Sequence, residues 1–590
     1  MSDAQKKFKL THELRILIAS LLSVGVILLW VRYFGPKPPA IPPQTNKPAQ
    51  TAPSPATPQA APPSAGAPVQ RGPATGISAL PKTNIAARSD AQERTIVVEN
   101  DLYRVELSNR GAVVKSWQLK KYLDDAKPPR VLDLVHQEAA QQTGGWPFAL
   151  VLDDEQLETA VNGGLYQVSS PASVIHAPAD AEFVWSDGHI EVIKRFHFDH
   201  TYVVRAETSV KFNGAAVTAG LAWLGGFGDL TVVNPAPIET VSVFYSETGK
   251  LTNNMAKKLE GPEKWPRGVW QGAKDWTGIQ DRYFTAVFLP PNGPAPGTLE
   301  TRYWKVSRTV KVEDKDAEEP VPQIATAASA QPLALRVYVG PKDYDDLKKM
   351  NPPLNALVNF GWLEFIADPL FHGLKWLHKY MPNWGWAIVV LTLIINMLLF
   401  PLRISSYKTQ LKMQRVGPEI KQIQEKYKKY SMRDPRKAEM NKEVMAVYAR
   451  EKINPVGGCF QMFLQMPIWF GLNTALRYAI ELRHAPWLWI IDLSAKDPYY
   501  ILPVLMGASM YFVSKMTPMT ATDPQQQMML KIMPITMAGM FVVFPISSGL
   551  ALYILTSSLV GIVQQWYLNR THPLQAQTKP ARGAKGKKQS

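Results

Sequence analysis

Along the chain the hydrophobic pattern changes register several times. Leu14 to Phe34 is a nearly uncharged run of 21 residues, enough to cross roughly 30 Å of hydrocarbon at about 1.5 Å per residue. From about Ile96 to Val339 the texture becomes alternating. In Tyr202 to Phe212, apolar Tyr202, Val204, Ala206, Val210 and Phe212 interleave with Arg205, Glu207, Ser209 and Lys211, the period of a half-buried strand. Similar runs at 102–107, 299–312 and 335–339, punctuated by Gly, Pro and Asn, predict a large antiparallel β-sandwich over 91–345. Over 352–381 the apolar residues recur at helical spacing (Leu357, Phe360, Leu363, Ile366, Leu370, Leu374, Leu377) while Glu364, Asp368, Lys375 and Lys379 interrupt any spanning run. An amphipathic helix lying in the membrane interface and broken near Pro369 fits that pattern, with a helix packed on the β-domain as the alternative. Five apolar segments follow, at 384–402, 457–475, 499–514, 528–544 and 550–568, and 403–455 reads as a charged two-helix hairpin.

Composition sharpens this division. Gly35 to Pro81 holds 14 prolines among Ala, Gln, Ser and Thr, so 35–90 is expected to be a semi-extended linker that buries too little apolar surface to fold. The first run exits through Arg32, Tyr33 and Phe34 rather than a small-x-small site, which favours an uncleaved signal anchor over 14–34. The single cysteine, Cys459, excludes disulfides from the β-domain. Charge tests the topology independently. Segment 403–452 carries 14 basic and 6 acidic residues, a net +8; the tail after Leu568 nets +6 and residues 1–13 net +1, together +15 of the chain's +16. The stretch 479–498 nets −1. By the positive-inside rule these values predict six spans with residues 1–13, the hairpin and the tail 569–590 all cytoplasmic.

Candidate chemistry lies inside the apolar segments. Gln461 and Gln465 are four apart in the second core segment, so on a helix they share a face; Thr392 and Asn396 repeat that spacing in the first, with Arg403 seven beyond. Tyr553, Thr556, Ser557 and Ser558 sit inside the last. Polar groups at membrane depth face a bundle interior or a water-filled recess, because hydrocarbon cannot satisfy them. Singly, each serves as packing between helices as readily as a groove; their coincidence on three segments points to a groove. Methionines (Met506, Met510, Met516, Met519, Met528, Met529, Met533, Met537, Met540) crowd the fourth and fifth segments, side chains that re-pack around varied apolar partners. No GxxxxGK[ST], HExxH or GxSxG is present, and His197, Asp199 and His200 read as surface decoration, so neither an enzyme nor a cofactor or metal site is expected.

The stretches KINPVGGCFQMFLQMPIW, IELRHAPWLWIIDLSAKDPYYILPVLMGASM, TDPQQQMMLKIMP and SSGLALYILTSSLVGIVQQ together resemble the YidC-type membrane protein insertases of Gram-negative architecture, nearly continuously from about Gly385 to Leu568. Upstream, SNRGAVVKSW and YVGPKDY agree in order. The resemblance implies an α-helical polytopic protein of the inner membrane, with six transmembrane helices, five of them an insertase core over 384–568, and a large periplasmic β-sandwich similar to sugar-mutarotase folds without being an enzyme. It implies a hydrophilic groove, open to cytoplasm and lipid, along which hydrophobic segments of nascent proteins enter the bilayer with or without the Sec translocon, while the basic hairpin and tail face the ribosome. Thr392 corresponds to the family's threonine in the second span, and Tyr553 or the adjacent Ile554 to its tyrosine in the last. The expected groove residues are thus Thr392, Asn396, Arg403, Gln461, Gln465, Tyr553 and Thr556. Where many members carry a groove arginine this chain has Asn396, and Arg403 is expected to supply part of that charge. A secondary transporter is the rival reading, but it calls for inverted repeats and ionisable residues at the midplane, and neither occurs in the core segments. A third reading, a sugar-binding or sugar-converting domain on an anchor, would lose its function on deletion of Ala91 to Ala328.

Overall fold

The alternation over Tyr202 to Phe212 is realised as a strand, Val203–Phe212, that buries Val204, Ala206, Thr208 and Val210 on one face. In the computed structural model, which describes residues 86–572 except 127, 230, 232–240, 262–266, 313–314, 329–331, 359, 431–433, 454–456, 518–531, 534–535, 538 and 542–545, and without the side chains of 311–312, 315, 362 and 457–464, this strand lies inside a ten-stranded sheet. It pairs antiparallel with Ile190–Phe198 and Leu333–Pro341. The anchor, the linker as far as residue 85 and the tail beyond residue 572 fall outside the described residues.

Two five-stranded sheets complete the β-rich domain. One runs Val131–Asp133, Val113–Leu123, Tyr103–Ser108, Thr95–Glu99, Val174–His176; the other Gln271–Lys274, Leu299–Val312, Lys315–Ala328, Gly220–Trp223, Leu150–Val151. Pairing is antiparallel except between Thr95–Glu99 and Val174–His176, so the expected antiparallel sandwich is realised in three sheets with one parallel edge. A short strand reached only after the intervening chain has looped around the sheet can join it in either sense. All three sheets send side chains into one core, in which Trp117, Phe148, Phe196 and Trp223 contact one another with ring centroids 5.2–6.5 Å apart. Lys194 is fully buried there, its Nζ donating to the carbonyls of Gly111 (2.7 Å), Phe148 (2.8 Å) and Ala112 (3.2 Å). Three carbonyls are what a buried ammonium needs to replace its lost water.

The helical region starts with α1 (Glu364–Tyr380), whose Ala367, Phe371, Leu374 and Leu377 are buried at the expected helical spacing. It runs unbroken through Pro369. The proline lies five residues after the first, so the hydrogen bond it forfeits is near the frayed start, and burial downstream holds the remainder. Next comes α2 (Trp384–Lys426), a single 43-residue helix of about 65 Å at 1.5 Å per residue. The sequence predicted a span ending at Leu402 and a separate hairpin helix; instead the chain continues through Pro401 and Pro418. The arm of α2 is held by α3 (Arg436–Arg450), through Val416, Ile420, Val447 and Ile453 and the pairs Lys426–Glu443 (2.8 Å) and Arg450–Glu419 (2.6 Å). Then follow α4 (Gly457–Tyr478), α5 (Ile501–Met516), helical residues at 532–533, 536–537 and 539–541, and α6 (Ser548–Thr571). Among the described residues α2 and α6 are long and apolar enough to cross a membrane, and α5 is a shorter apolar helix.

Helices and sheets share a second core. Phe244, Trp276, Val287, Leu289 and Tyr338 of the β-domain continue through Tyr344 and Phe360 to Phe371 of α1 and on to Ile388, Leu472 and Leu550. Arg282 Nε donates to the carbonyl of Arg477 (2.9 Å), and Lys375 of α1 joins Asp345 (2.6 Å) and Glu481 (2.8 Å). The amphipathic helix is therefore packed on the β-domain, and on α4 and α2 as well.

Candidate functional site

α2 has two contrasting faces. Met397 and Leu398 are each 77% exposed, while Thr392 and Asn396, on the opposite side, are 0% and 8% exposed, and Asn396 reaches α6. A helix with an apolar outward face and a polar inward one is what a membrane bundle with a wet or hydrogen-bonded interior requires. Asn396 Nδ2 donates to the carbonyl of Thr392 (2.8 Å) and to Ser557 Oγ (3.3 Å), whose hydroxyl in turn donates to Asn396 Oδ1 (3.4 Å). Thr392 Oγ1 donates within its own helix to the carbonyl of Ile388 (2.7 Å), so it lines the seam by position rather than by a bond across it. One turn toward the other end of α6, Gln465 of α4 donates its Nε2 to the Tyr553 hydroxyl at 2.8 Å. Tyr553 is 1% exposed and Gln465 only partly buried, so the pair runs from the core of the bundle toward an accessible side of α4.

Arg403 closes the same seam at its other end. Its Nη1 donates to Gln564 Oε1 (2.9 Å) and its Nη2 to the carbonyl of Gly561 (3.2 Å). Gly561 brings the backbone close to Arg403: a Cβ there would lie 3.4 Å from both terminal guanidinium nitrogens, in van der Waals contact. Gln564 also donates its Nε2 to the carbonyl of Asn396 (3.2 Å), so one amide ties together two of the expected residues. Beyond it, Tyr407 donates to Asn569 Oδ1 (2.8 Å), and Asn569 Nδ2 donates to the carbonyl of Met516 at the end of α5 (3.0 Å).

Of the seven expected residues, six have described side chains; Thr392, Asn396, Arg403, Gln465 and Tyr553 gather along α6, and Thr556, 8% exposed, is buried on that helix beside them. Gln461 lies on α4, but its side chain falls outside the described residues. Ser557, noted among the polar residues of the last segment, was not one of the seven expected groove residues, and Gln564 is the partner that sequence reasoning did not single out. The signal was available: Gln564 follows Ser557 by seven residues, two helical turns on the same face. Of the methionines, Met506 is fully buried while Met533 and Met540 are about half exposed, and Met519, Met528 and Met529 lie outside the described residues. His197 pairs with Asp180 on the neighbouring strand (2.7 Å), an ordinary cross-strand contact.

The chain as a whole is similar to known proteins. A family model described as the 60Kd inner membrane protein matches residues 376–576, and one described as the YidC periplasmic domain matches 95–373. The membrane protein insertase YidC of Geotalea uraniireducens is 32% identical over 95% of this chain and 100% of its own length. The chain belongs to the YidC family of membrane protein insertases. The YidC of Geobacter metallireducens is likewise 32% identical, over 95% of this chain and 98% of its own. A crystal structure of an active YidC insertase with its first transmembrane domain resolved covers 83% of this chain and 96% of that one, at 17% identity and a TM-score of 0.33. This YidC-family chain is accordingly a membrane protein insertase of the inner membrane, with a periplasmic β-rich domain and a helical C-terminal region, and nascent membrane proteins are its substrates. Its relatives are named as insertases and not as enzymes.

Proposed function

We propose that the seam formed by Thr392, Asn396, Arg403, Gln461, Gln465, Tyr553 and Thr556 is one wall of a hydrophilic groove along which hydrophobic segments of nascent proteins pass into the bilayer. The observation that carries this reading is the meeting of polar side chains from α2, α4 and α6, through Asn396–Ser557 and Gln465–Tyr553, at a depth where hydrocarbon would leave them unsatisfied. An unsatisfied polar group in hydrocarbon costs several kcal/mol, so amides and hydroxyls in a recess lower the barrier for a substrate's polar flanks. The driving force is the substrate's own apolar burial, about 25 cal/mol per Å². The work is physical; no bond is made or broken. Asn396 attracts an acidic flank only as a dipole, and Arg403, two turns away, adds positive charge at the cytoplasmic end.

In the same proposal the protein has six spans and a five-helix core, with both termini cytoplasmic, which the charge distribution supports. The arm built from α2 and α3 and the basic tail offer positive surface to ribosomal RNA, and membrane lipids surround the apolar faces. Insertion proceeds alone or with the Sec translocon. The test is reconstitution of the purified protein in liposomes, with protease protection of a short single-span substrate synthesised in their presence. Native protein is expected to protect the substrate and Gln465→Leu combined with Asn396→Leu to protect it much less. Equal protection by a correctly folded double variant would overturn the groove.

A further inference from the structure

Where the periplasmic domain meets the connection between α4 and α5, charge is concentrated in a way that insertion does not use. Arg483 and Asp229, with side chains 4% and 5% exposed, form a close ion pair. Beside them His484 Nε2 contacts Asp125 Oδ1 at 2.7 Å, and ligand atoms of Asp125, His484 and Asp492 all lie within 4.8 Å of one another. Asp125 follows the strand Val113–Leu123 of the periplasmic domain, whereas His484 and Asp492 lie in the connection, so the group joins chain segments more than 350 residues apart.

We propose that Asp125, His484 and Asp492 form a divalent-cation site, suited to Zn²⁺, that clamps the periplasmic domain to the membrane core. Three observations carry it. First, one imidazole nitrogen and two carboxylates are three donors of types that zinc binds, leaving a fourth position for water. Second, the charges are out of balance by one such ion. Among the described residues, Asp125 and Asp229 pair with the guanidinium of Arg483, which is committed to Asp229 and stands 3.6 Å from Asp125, and Asp492 lies beside Asp125, so with a neutral imidazole these four charged groups sum to two excess negative charges. Third, Asp492 is already oriented, since its Oδ1 accepts the backbone N–H of Ser494 (2.7 Å), while the 2.7 Å contact between His484 Nε2 and Asp125 is one between two ligands that gives way when the cation enters. Asp492 thus has the outer hydrogen bond that metal ligands commonly carry.

The ligands are half-exposed or less, so exchange with the periplasm needs no opening of the fold. The clamp would fix the periplasmic domain against the loop that precedes α5, adding a metal bond to the ion pair already there. The experiment strips the full-length protein in nanodiscs with a chelator, dialyses it against micromolar zinc chloride, counts bound metal by elemental analysis and records the unfolding temperature with and without zinc. Native protein should hold one more zinc than Asp125→Asn, His484→Asn and Asp492→Asn, with affinity at this site weakened at least about tenfold in each variant, and zinc should raise the unfolding temperature of the native chain alone. His197→Asn, at the unrelated pair with Asp180, should retain the native count. Asp492→Asn leaves the Arg483–Asp229 and His484–Asp125 contacts in place and so keeps the test open if the others misfold. Equal zinc counts in native protein and Asp492→Asn would overturn the site. Variants that lose stability while the zinc shift persists would identify an ion-paired contact and no metal centre, which also overturns it.

Discussion

The pair Gln465–Tyr553 separates the two things a polar seam can do. In Gln465→Leu the Tyr553 hydroxyl oxygen, on a residue 1% exposed and now without the amide that donated to it at 2.8 Å, must find another donor or remain unsatisfied. In water-soluble cores that costs about 1–3 kcal/mol. Inside a membrane the reference state also pairs its polar groups, and measured interhelical bonds average about 0.6 and reach about 1.7 kcal/mol, so the lower range governs here. Tyr553→Phe strands only the Gln465 amide, which is partly exposed and re-solvates, so its cost should be about half as large. A double-mutant cycle in mixed micelles should therefore return a coupling of about 0.6–1.7 kcal/mol, and a coupling below about 0.3 kcal/mol would refute the hydrogen bond.

The same variants are then assayed for insertion. A protein several kcal/mol stable remains almost wholly folded after losing about 1 kcal/mol. If the amide works on substrate, protection should drop several-fold in Gln465→Leu although the protein stays folded. Protection that merely tracks the folded fraction would mean the pair is packing between α4 and α6 and nothing more, and the groove reading would lose its central residue.

Three further outcomes follow from contacts away from the seam. Glu158 is buried, accepts the N–H of Leu152 (2.9 Å), and burial pushes its carboxyl up to about 7; the folded state then binds more protons than the unfolded one between pH about 4.5 and about 7, so this group's contribution falls as pH rises through that window, by up to about 3 kcal/mol. Glu158→Gln should remove that fall, read as a more positive slope of unfolding temperature against pH; an unchanged slope would show that Glu158 is ionised when folded. Asp229→Asn leaves Arg483 buried without its main partner and should cost about 3–5 kcal/mol in chemical denaturation of the full chain, and a loss under 1 kcal/mol would contradict the burial of the pair. Gly385→Ala places a Cβ 2.2 Å from the Trp487 ring, forcing that indole to move, and should cost about 1–3 kcal/mol with altered tryptophan emission; a silent substitution would mean that α2 and the Trp487 turn are less closely packed.

What the sequence disclosed depended on whether the cause was local. Val203–Phe212 was legible because alternation and burial are the same fact seen twice. The inward face of α2 was legible from Thr392, Asn396 and Arg403, since spacings of four and seven fix a helical face. The helix across which that face closes was less so: Ser557 and Gln564 lie 161 residues from Asn396 and Arg403, and no local pattern pairs them. The continuity of α2 was hidden for a different reason. Pro401 and Pro418 carry a local cost of about 3 kcal/mol or more in a helix interior, so sequence reasoning stops the helix there. The fold pays that cost through Tyr407 and Leu411 packed on Leu568, and through Val416 and Ile420 packed on α3. Pro369 in α1 is the milder instance, with Phe371 and Leu374 buried immediately after it.

The contacts across the seam are weakest at its middle, and that bears on how the proposed groove would act. At the Arg403 end Arg403–Gln564 and Tyr407–Asn569 are 2.9 and 2.8 Å, ordinary strong geometry, one of them charge-assisted, and at the far end Gln465–Tyr553 is 2.8 Å. Between these ends the contacts of Asn396 with Ser557 are 3.3 and 3.4 Å, at the weak limit of hydrogen bonding. Weak, neutral contacts exchange readily for water or for a peptide group arriving beside them; short contacts to a guanidinium do not. A bundle that must stay assembled while its interior receives successive polar flanks needs firm bonds at the ends that anchor the helices and loose ones where substrate passes. On this argument Gln564→Ala should loosen α2 from α6 and reduce stability first, whereas Asn396→Leu should spare stability and reduce insertion. The reverse order would show that the loose contacts, and not the firm ones, hold the bundle together.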